Sequence, residues 1–249
     1  MAHLLLPRPR LILLDIEGTT CPVHFVSDVL FPYASQQLPA FLQRHGDDAA
    51  IQTLLAETQA AWQQDMDPTA RTLREQTPQD VGAYLQWLIQ QDRKLPSLKE
   101  LQGLIWQEGY RTGVLSGPLF DDVAPTLRSW HGKGLALAVY SSGSVSAQQL
   151  LYQYSTAGDL TALFCSWFDT RMGSKLSADS YRAIATELNH PTQQILFISD
   201  SLAELDAASA TSMATLFSHR PGNPGHDPGQ HLAISSLQDV RFESEFTHT

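Results

Sequence analysis

Cationic side chains are in short supply in this 249-residue chain: 16 Lys and Arg stand against 26 Asp and Glu, a formal net charge of −10. Phosphate backbones select basic faces, so this balance argues against nucleic acid as a partner. It leaves room for a small phosphate held by one lysine and a divalent cation. Cysteine is scarcer still. The two present, Cys21 and Cys165, make no CxxC pair and no disulfide framework, and no His pair at zinc spacing accompanies them. A thiolate metal centre is therefore not expected, and two buried thiols are. Long apolar runs are missing as well, since no stretch approaches the roughly 20 residues that span a bilayer. The opening MAHLLLPRPRLILLDIEG is broken by Pro7, Arg8, Pro9 and Arg10 and soon followed by Asp15 and Glu17. A secretory signal needs an uninterrupted apolar core, so a cytoplasmic protein is the expectation.

What the chain does contain is ordinary globular material, 43% hydrophobic, and enough of it for a core domain with an inserted lobe. Short continuous apolar runs end in polar residues three times: LILLDI at 11–16, LALAVYSSGS at 135–144 and ILFISD at 195–200. Such runs read as buried strands of a parallel sheet. MATLFSH at 213–219 and HLAISSL at 231–237 are further candidate strands. Helical stretches (SAQQLLYQY, SADSYRAIATELN, SLAELDAASA) alternate with them, which predicts an α/β, Rossmann-like parallel sheet. In such sheets ligands bind beyond the carboxyl ends of the strands, so all three polar ends point to one crevice.

Residues 21–114 differ. Apolar positions recur at helical spacing through four stretches, interrupted near Pro68, Pro78 and Pro96 with Asp, Thr and Ser at hand as helix starts. This predicts an all-helical cap inserted after the first strand, with residues 1–20 and 115–249 forming the core. Trp62, Trp87 and Trp106 are expected in the interior of the cap. The final RFESEFTHT is polar and expected to fray.

The chemistry-bearing residues lie at the strand ends. Asp15 and Glu17 are two apart, followed by Gly18 and Thr19. A carboxylate at a strand end can attack phosphorus, and a second acid beside it can protonate the leaving oxygen and later deprotonate water. Ser141 and Ser142 bring hydroxyls to a helix start, which suits a phosphate or simple capping. Lys175 offers a compact charge. Asp200 delivers a second carboxylate to the edge that carries Asp15, a pair that calls for a cation such as Mg²⁺. Glu204, one helical turn on, is equally well a supporting partner or an exposed acid. His24, His131, His190 and His219 are scattered and receive no role, and RPGN at 220–223 reads as a turn.

The order Asp15-x-Glu17, Ser141, Lys175, Asp200 resembles the haloacid-dehalogenase superfamily of aspartyl phosphotransferases. Glu17, where most members carry Asp, narrows the likeness. DIEGTT, YSSGSVSAQQLL, FDTRMGSKLSADSY, ILFISDSLAELDAA and RPGN together resemble the enolase-phosphatases, or acireductone synthases, of methionine salvage. This resemblance implies enolisation and then dephosphorylation of 5-(methylthio)-2,3-dioxopentyl phosphate. It also implies Asp15 as nucleophile, Glu17 as acid/base, Ser141, Ser142 and Lys175 as substrate contacts, and Mg²⁺ on Asp15, Glu17 and Asp200. Glu17 is the first candidate for the enolisation base, and its main-chain carbonyl the candidate metal contact. Phe25 or Phe31 would meet the methylthio tail. The expected partner is a small phosphorylated diketone, met by a monomer. Competing readings are a phosphatase of the same superfamily for another small phosphate ester and a receiver-type phospho-aspartate module. The latter lacks both the acid at Glu17 and a helical lid.

Overall fold

The computed structural model describes residues 4–243. In chain order the strands and helices are β1 (Leu4–Leu6), β2 (Leu11–Leu14), α1 (Phe31–His45), α2 (Ala49–Gln64), α3 (Pro68–Gln76), α4 (Val81–Gln90), α5 (Pro96–Arg111), α6 (Val123–Gly132) and β3 (Ala136–Tyr140). There follow α7 (Val145–Gln153), β4 (Ser166–Phe168), α8 (Ala178–Glu187), β5 (Ile195–Ser199), α9 (Leu202–Ser209), β6 (Ala214–Ser218), β7 (Leu232–Ile234) and β8 (Val240–Phe242). These form two compact units: one takes the described residues up to Phe25 and from Ser116 on, the other Val26–Leu115. The stretch from Cys21 to Phe25, expected to open the insertion, thus belongs with the sheet.

The sheet unit is built on six parallel strands in the order β4-β3-β2-β5-β6-β7. Every residue of β2 and β5 is buried, which is why both read as unbroken apolar runs rather than as alternating ones. Strands β3 and β4 extend the sheet to one side of β2, and the chain then crosses to the other side to add β5, β6 and β7. The reversal falls between β2 and β5, the point where α/β sheets of this Rossmann-like order open a crevice. Leu14 pairs with Ile198 and with Val139, so the residues after these strands emerge side by side.

Strands β1, β4 and β8 and helices α3 and α6 have no counterpart in the sequence-based prediction. Strands β1 and β8 pair in parallel as a separate two-stranded sheet, Leu5 opposite Arg241 and Leu6 opposite Phe242. The tail expected to fray is therefore partly ordered; its residues 244–249 lie outside the described ones. Cys165 corrects the expectation of two buried thiols: Cys21 is buried and Cys165 is on the surface, and both are free.

The helical unit holds α1 to α5. Asp67 and Asp80 cap α3 and α4, accepting from the Thr69 and Ala83 amides at 2.8 and 3.1 Å, while Pro68 and Pro96 occupy first turns where no amide donor is needed. Trp62 is fully buried, stacks on Tyr84 at 4.9 Å and donates to the Ala70 carbonyl. Trp106 is also buried and donates to the Leu30 carbonyl. Aromatic bulk with a satisfied N–H at its polar end is what a small helical core requires.

Candidate active site

The chain leaves β2 through Asp15 and turns at once. Gly18, at φ +71°, supplies the left-handed conformation. The amides of Thr19, Thr20 and Cys21 all converge on the Ile16 carbonyl at 2.9–3.1 Å, and the Gly18 amide reaches the Cys21 carbonyl. The loop DIEGTT is thus a closed knot rather than a solvated link. Asp15 itself is 5% exposed.

Lys175 meets Asp15 in this crevice. Its ammonium lies 2.6 Å from Asp15 Oδ1 and 2.7 Å from a Glu204 oxygen. The lysine is buried on the loop before α8. Tyr140 donates to the Gly173 carbonyl, Ser180 to that of Ser174 and Tyr181 to that of Lys175 itself. Burial alone would lower the affinity of this lysine for its proton; the charges and hydrogen bonds of Asp15 and Glu204 outweigh it and hold the group above the usual lysine range. Glu204 is therefore a supporting partner and not an exposed acid. Its second contact, Ser199 Oγ at 3.0 Å, leads on to Asp15 Oδ2 at 3.5 Å.

Asp200 follows β5 and closes the constellation from the other side of the switch point. Burial first, then the charges of Asp15 and Glu204, push its carboxyl up to about 7. Burial and Asp15 likewise raise Glu204 to about 7 despite its lysine. Three carboxylates share one ammonium, so the crevice is short of positive charge. Among the described residues no group of three His, Cys, Asp or Glu side chains has metal-holding geometry. A set of two carboxylates completed by main-chain or substrate oxygen is the alternative, and such all-oxygen donors fit a hard divalent cation.

Gly18 is needed here twice over. A Cβ on it would sit 2.1 Å from Asp200 Oδ2 and 2.5 Å from Asp200 Cγ. Gly18→Ala should displace the Asp200 carboxylate and add about 1–2 kcal/mol of backbone strain. Titration calorimetry with Mg²⁺ should show binding weakened at least about tenfold, the effect of roughly 1.4 kcal/mol; unchanged affinity would mean that Asp200 is not held by this contact.

Ser141 and Ser142 follow β3. Ser141 is buried, its Oγ accepting from the Gly143 amide at 3.3 Å, and Ser142 is exposed. Neither starts the helix: the cap of α7 is Ser144, whose Oγ accepts from the Ala147 amide. The cap lies three residues after Ser141 and two after Ser142, so capping falls to Ser144 rather than to either of the expected hydroxyls. Buried Gln148 on α7 donates to both the Gly143 and Phe168 carbonyls at 2.8 Å and pins this turn to the end of β4. Glu17, in the DIEGTT turn, is half-buried. Phe25 is buried in the sheet unit, and Phe31 opens α1 stacked on Trp106 at 6.3 Å.

RPGN proves more than a turn. Arg220 and Asn223 are 4% and 3% exposed and donate to the Thr19 and Gly18 carbonyls of the DIEGTT loop. His219, expected to stand alone, lies with its Nε2 3.2 Å from His226 Nδ1.

The haloacid dehalogenase-like hydrolase family matches residues 9–211. Over 236 residues the chain is 47% identical to enolase-phosphatase E1 of Synechococcus sp. strain CC9902, covering 92% of this chain and 96% of that one. The enolase-phosphatase E1 of Thioalkalivibrio sulfidiphilus is 47% identical over 231 residues, 93% and 98% of the two chains. The chain belongs to the enolase-phosphatase family. Among solved structures, the UTR4 protein of Saccharomyces cerevisiae superposes with a TM-score of 0.74 at 31% identity, covering 92% of this chain and 98% of that one. CbbY of Rhodobacter sphaeroides, at 18% identity and a TM-score of 0.58, shares the fold. Enolase-phosphatases are phosphatases of the haloacid-dehalogenase superfamily, where magnesium dependence is general, in keeping with the charge deficit of this crevice. No described helix of this enolase-phosphatase is long and apolar enough to cross a membrane.

Proposed function

We propose that this chain converts 5-(methylthio)-2,3-dioxopentyl phosphate to the acireductone and phosphate, by enolisation followed by dephosphorylation, in methionine salvage. The observation that carries this reading is the likeness to enolase-phosphatases along almost the whole chain. The crevice supports it chemically. An Asp15 oxygen attacks phosphorus as the bond to the leaving oxygen breaks, and Glu17 gives that oxygen a proton. Glu17 then takes a proton from water, which attacks the aspartyl-phosphate and releases phosphate and a regenerated Asp15. Lys175, already 2.6 Å from Asp15, holds the transferring group and its developing charge, and Ser141 and Ser142 bind its remaining oxygens. In the preceding enolisation Glu17 is also the proposed base: it takes the carbon-bound proton, and the C–H electron pair forms the C=C bond as the adjacent carbonyl opens. The resulting oxyanion takes a proton from solvent, and Glu17 keeps the abstracted proton for the leaving oxygen.

Asp15, Asp200 and the main-chain carbonyl of Glu17 would hold Mg²⁺. Bound there, the ion supplies positive charge to the phosphoryl oxygens and to the carboxylates that crowd it.

The assay is direct: purified protein with Mg²⁺ should turn the diketo phosphate into an enediol product and free phosphate. Absence of phosphate release from this compound, with ready turnover of other sugar or glycolytic phosphates, would return the protein to the wider superfamily. A phospho-Asp15 that resists hydrolysis would favour a signalling module.

A pH dependence follows for the metal-free chain. Asp200 and Glu204 are raised from the ordinary carboxyl range to about 7. A raised acid contributes stability in full below its unfolded value and loses it as pH climbs through the folded one. Thermal unfolding in EDTA should therefore move to lower temperature between about pH 5 and about pH 8. Mg²⁺ should raise the midpoint more at the upper end, where no proton competes. Equal shifts by Mg²⁺ at both ends would show that these carboxyls do not feel the ion.

A further inference from the structure

Three consecutive carbonyls of the nucleophile loop are fastened from outside it. The Gly18 oxygen accepts from Ser218 Oγ and from Asn223 Nδ2, both at 2.9 Å. The Thr19 oxygen accepts from Arg220 Nη2 at 3.2 Å, and the Thr20 oxygen from the Phe120 amide at 3.1 Å. Arg220 is the centre of this arrangement. Its guanidinium forks onto Asp122, Nη1 to Oδ1 at 2.8 Å and Nη2 to Oδ2 at 3.0 Å. Nη1 also donates to the Ser235 carbonyl at 2.9 Å, and the plane lies 4.6 Å from the Phe120 ring centre. Asp122 in turn accepts from Ser236 Oγ at 3.0 Å and the Leu237 amide at 2.6 Å. One buried ion pair thus joins the loop after β2, the approach to α6, the end of β6 and the segment after β7.

We infer that Arg220, braced by Asp122, is the positioning residue that fixes the DIEGTT loop and with it the line of attack of Asp15. The inference rests on the phosphatase reading above, and its reasoning is geometric. Asp15 and Gly18 are three residues apart in one closed turn, and Gly18 packs directly on the Asp200 carboxylate. A shift of the Thr19 carbonyl is passed to the nucleophile on one side and to Asp200 on the other. In-line displacement at phosphorus tolerates little such movement, and misplacement by about 1 Å costs on the order of 100-fold in rate. A guanidinium is needed because one planar group must serve a carboxylate and two carbonyls at once; an ammonium cannot span them. Arg220 touches no reacting atom, so its effect falls on the chemical step rather than on phosphate capture, which belongs to Lys175 and the turn at Ser141.

The test compares wild type with Arg220→Lys in the full chain with Mg²⁺. Kinetics are read on the diketo phosphate and on para-nitrophenyl phosphate, and amide hydrogen exchange is followed over residues 15–21. Folded Arg220→Lys should lose about 10- to 100-fold in kcat with KM changed less than about threefold. Exchange in the loop should quicken while β5 stays protected. An unchanged kcat, a loss confined to KM, or unchanged loop exchange would overturn the positioning role. Should Arg220→Lys not fold, Asp122→Asn, which keeps the shape and removes the charge, gives the same readings. Failure of both variants to fold would assign the pair to stability and equally overturn the inference. A wild type that cleaves only the aryl phosphate would sink the substrate assignment and leave the clamp tested on that ester, and the exchange measurement needs no turnover at all.

Discussion

Asp15→Asn is expected to reduce phosphate release by on the order of 10⁴-fold or more, the scale seen when a covalent nucleophile is removed. The amide matches the carboxylate in shape but has no anionic oxygen to form a bond with phosphorus, so no aspartyl-phosphate can accumulate. Loss of fold is not the expected cause. Asp15 is one of the charges that push Asp200 and Glu204 upward, so neutralising it relieves repulsion in the metal-free crevice. Lys175 keeps its 2.7 Å contact with Glu204. The thermal midpoint in EDTA near neutral pH should therefore change little. Single-turnover phosphate release beside a thermal melt separates the two effects. Activity within tenfold of wild type would show that another group attacks phosphorus.

Lys175→Met carries the second large effect, and it acts on both rate and stability. Methionine has a similar reach and no charge. Removing an ammonium that faces both Asp15 and Glu204 at 2.6 and 2.7 Å takes away the charge proposed to stabilise the transferring phosphoryl group, an expected loss of about 10²- to 10³-fold in kcat. It also leaves buried carboxylates without their cation, and breaking a buried pair from one side costs about 3–5 kcal/mol. That cost depends on the carboxylates being ionised. Since Asp200 and Glu204 already hold protons up to about 7, the destabilisation should be large near pH 8 and smaller near pH 5. Urea unfolding of the metal-free variant at the two pH values measures it. Equal losses at both would mean that packing of the side chain, not its charge, stabilises this loop.

Much of the architecture was legible in the sequence because it depends on short-range patterns. Strands β2, β3 and β5 are buried on both faces, so they appear as continuous apolar runs, and Asp15 and Asp200 stand out where those runs end. The helical insertion shows through its 3.6-residue spacing and its Asp and Pro helix starts. Other features were hidden for equally definite reasons. Strands β1 and β8, three residues each, are too short to carry a period, and their pairing joins residues from opposite ends of the described chain. Glu204 was ambiguous because a position four after Asp200 on a helix does not reveal which face the helix turns to Lys175.

The sequence by itself determined the parallel sheet, the helical insertion and the acids at the strand ends, since apolar periodicity and strand-end polarity are properties of a few neighbouring residues. Only the tertiary structure decided which charges meet: Lys175 with Asp15 across 160 positions, Arg220 with Asp122 across 98, and Asn223 with the Gly18 carbonyl across 205. A Pro-Gly after Arg220 announces a turn whatever the guanidinium does. Its burial is set by a carboxylate and two carbonyls that reach it only when the sheet has formed, because a buried charge is tolerated only where partners from distant parts of the chain converge on it.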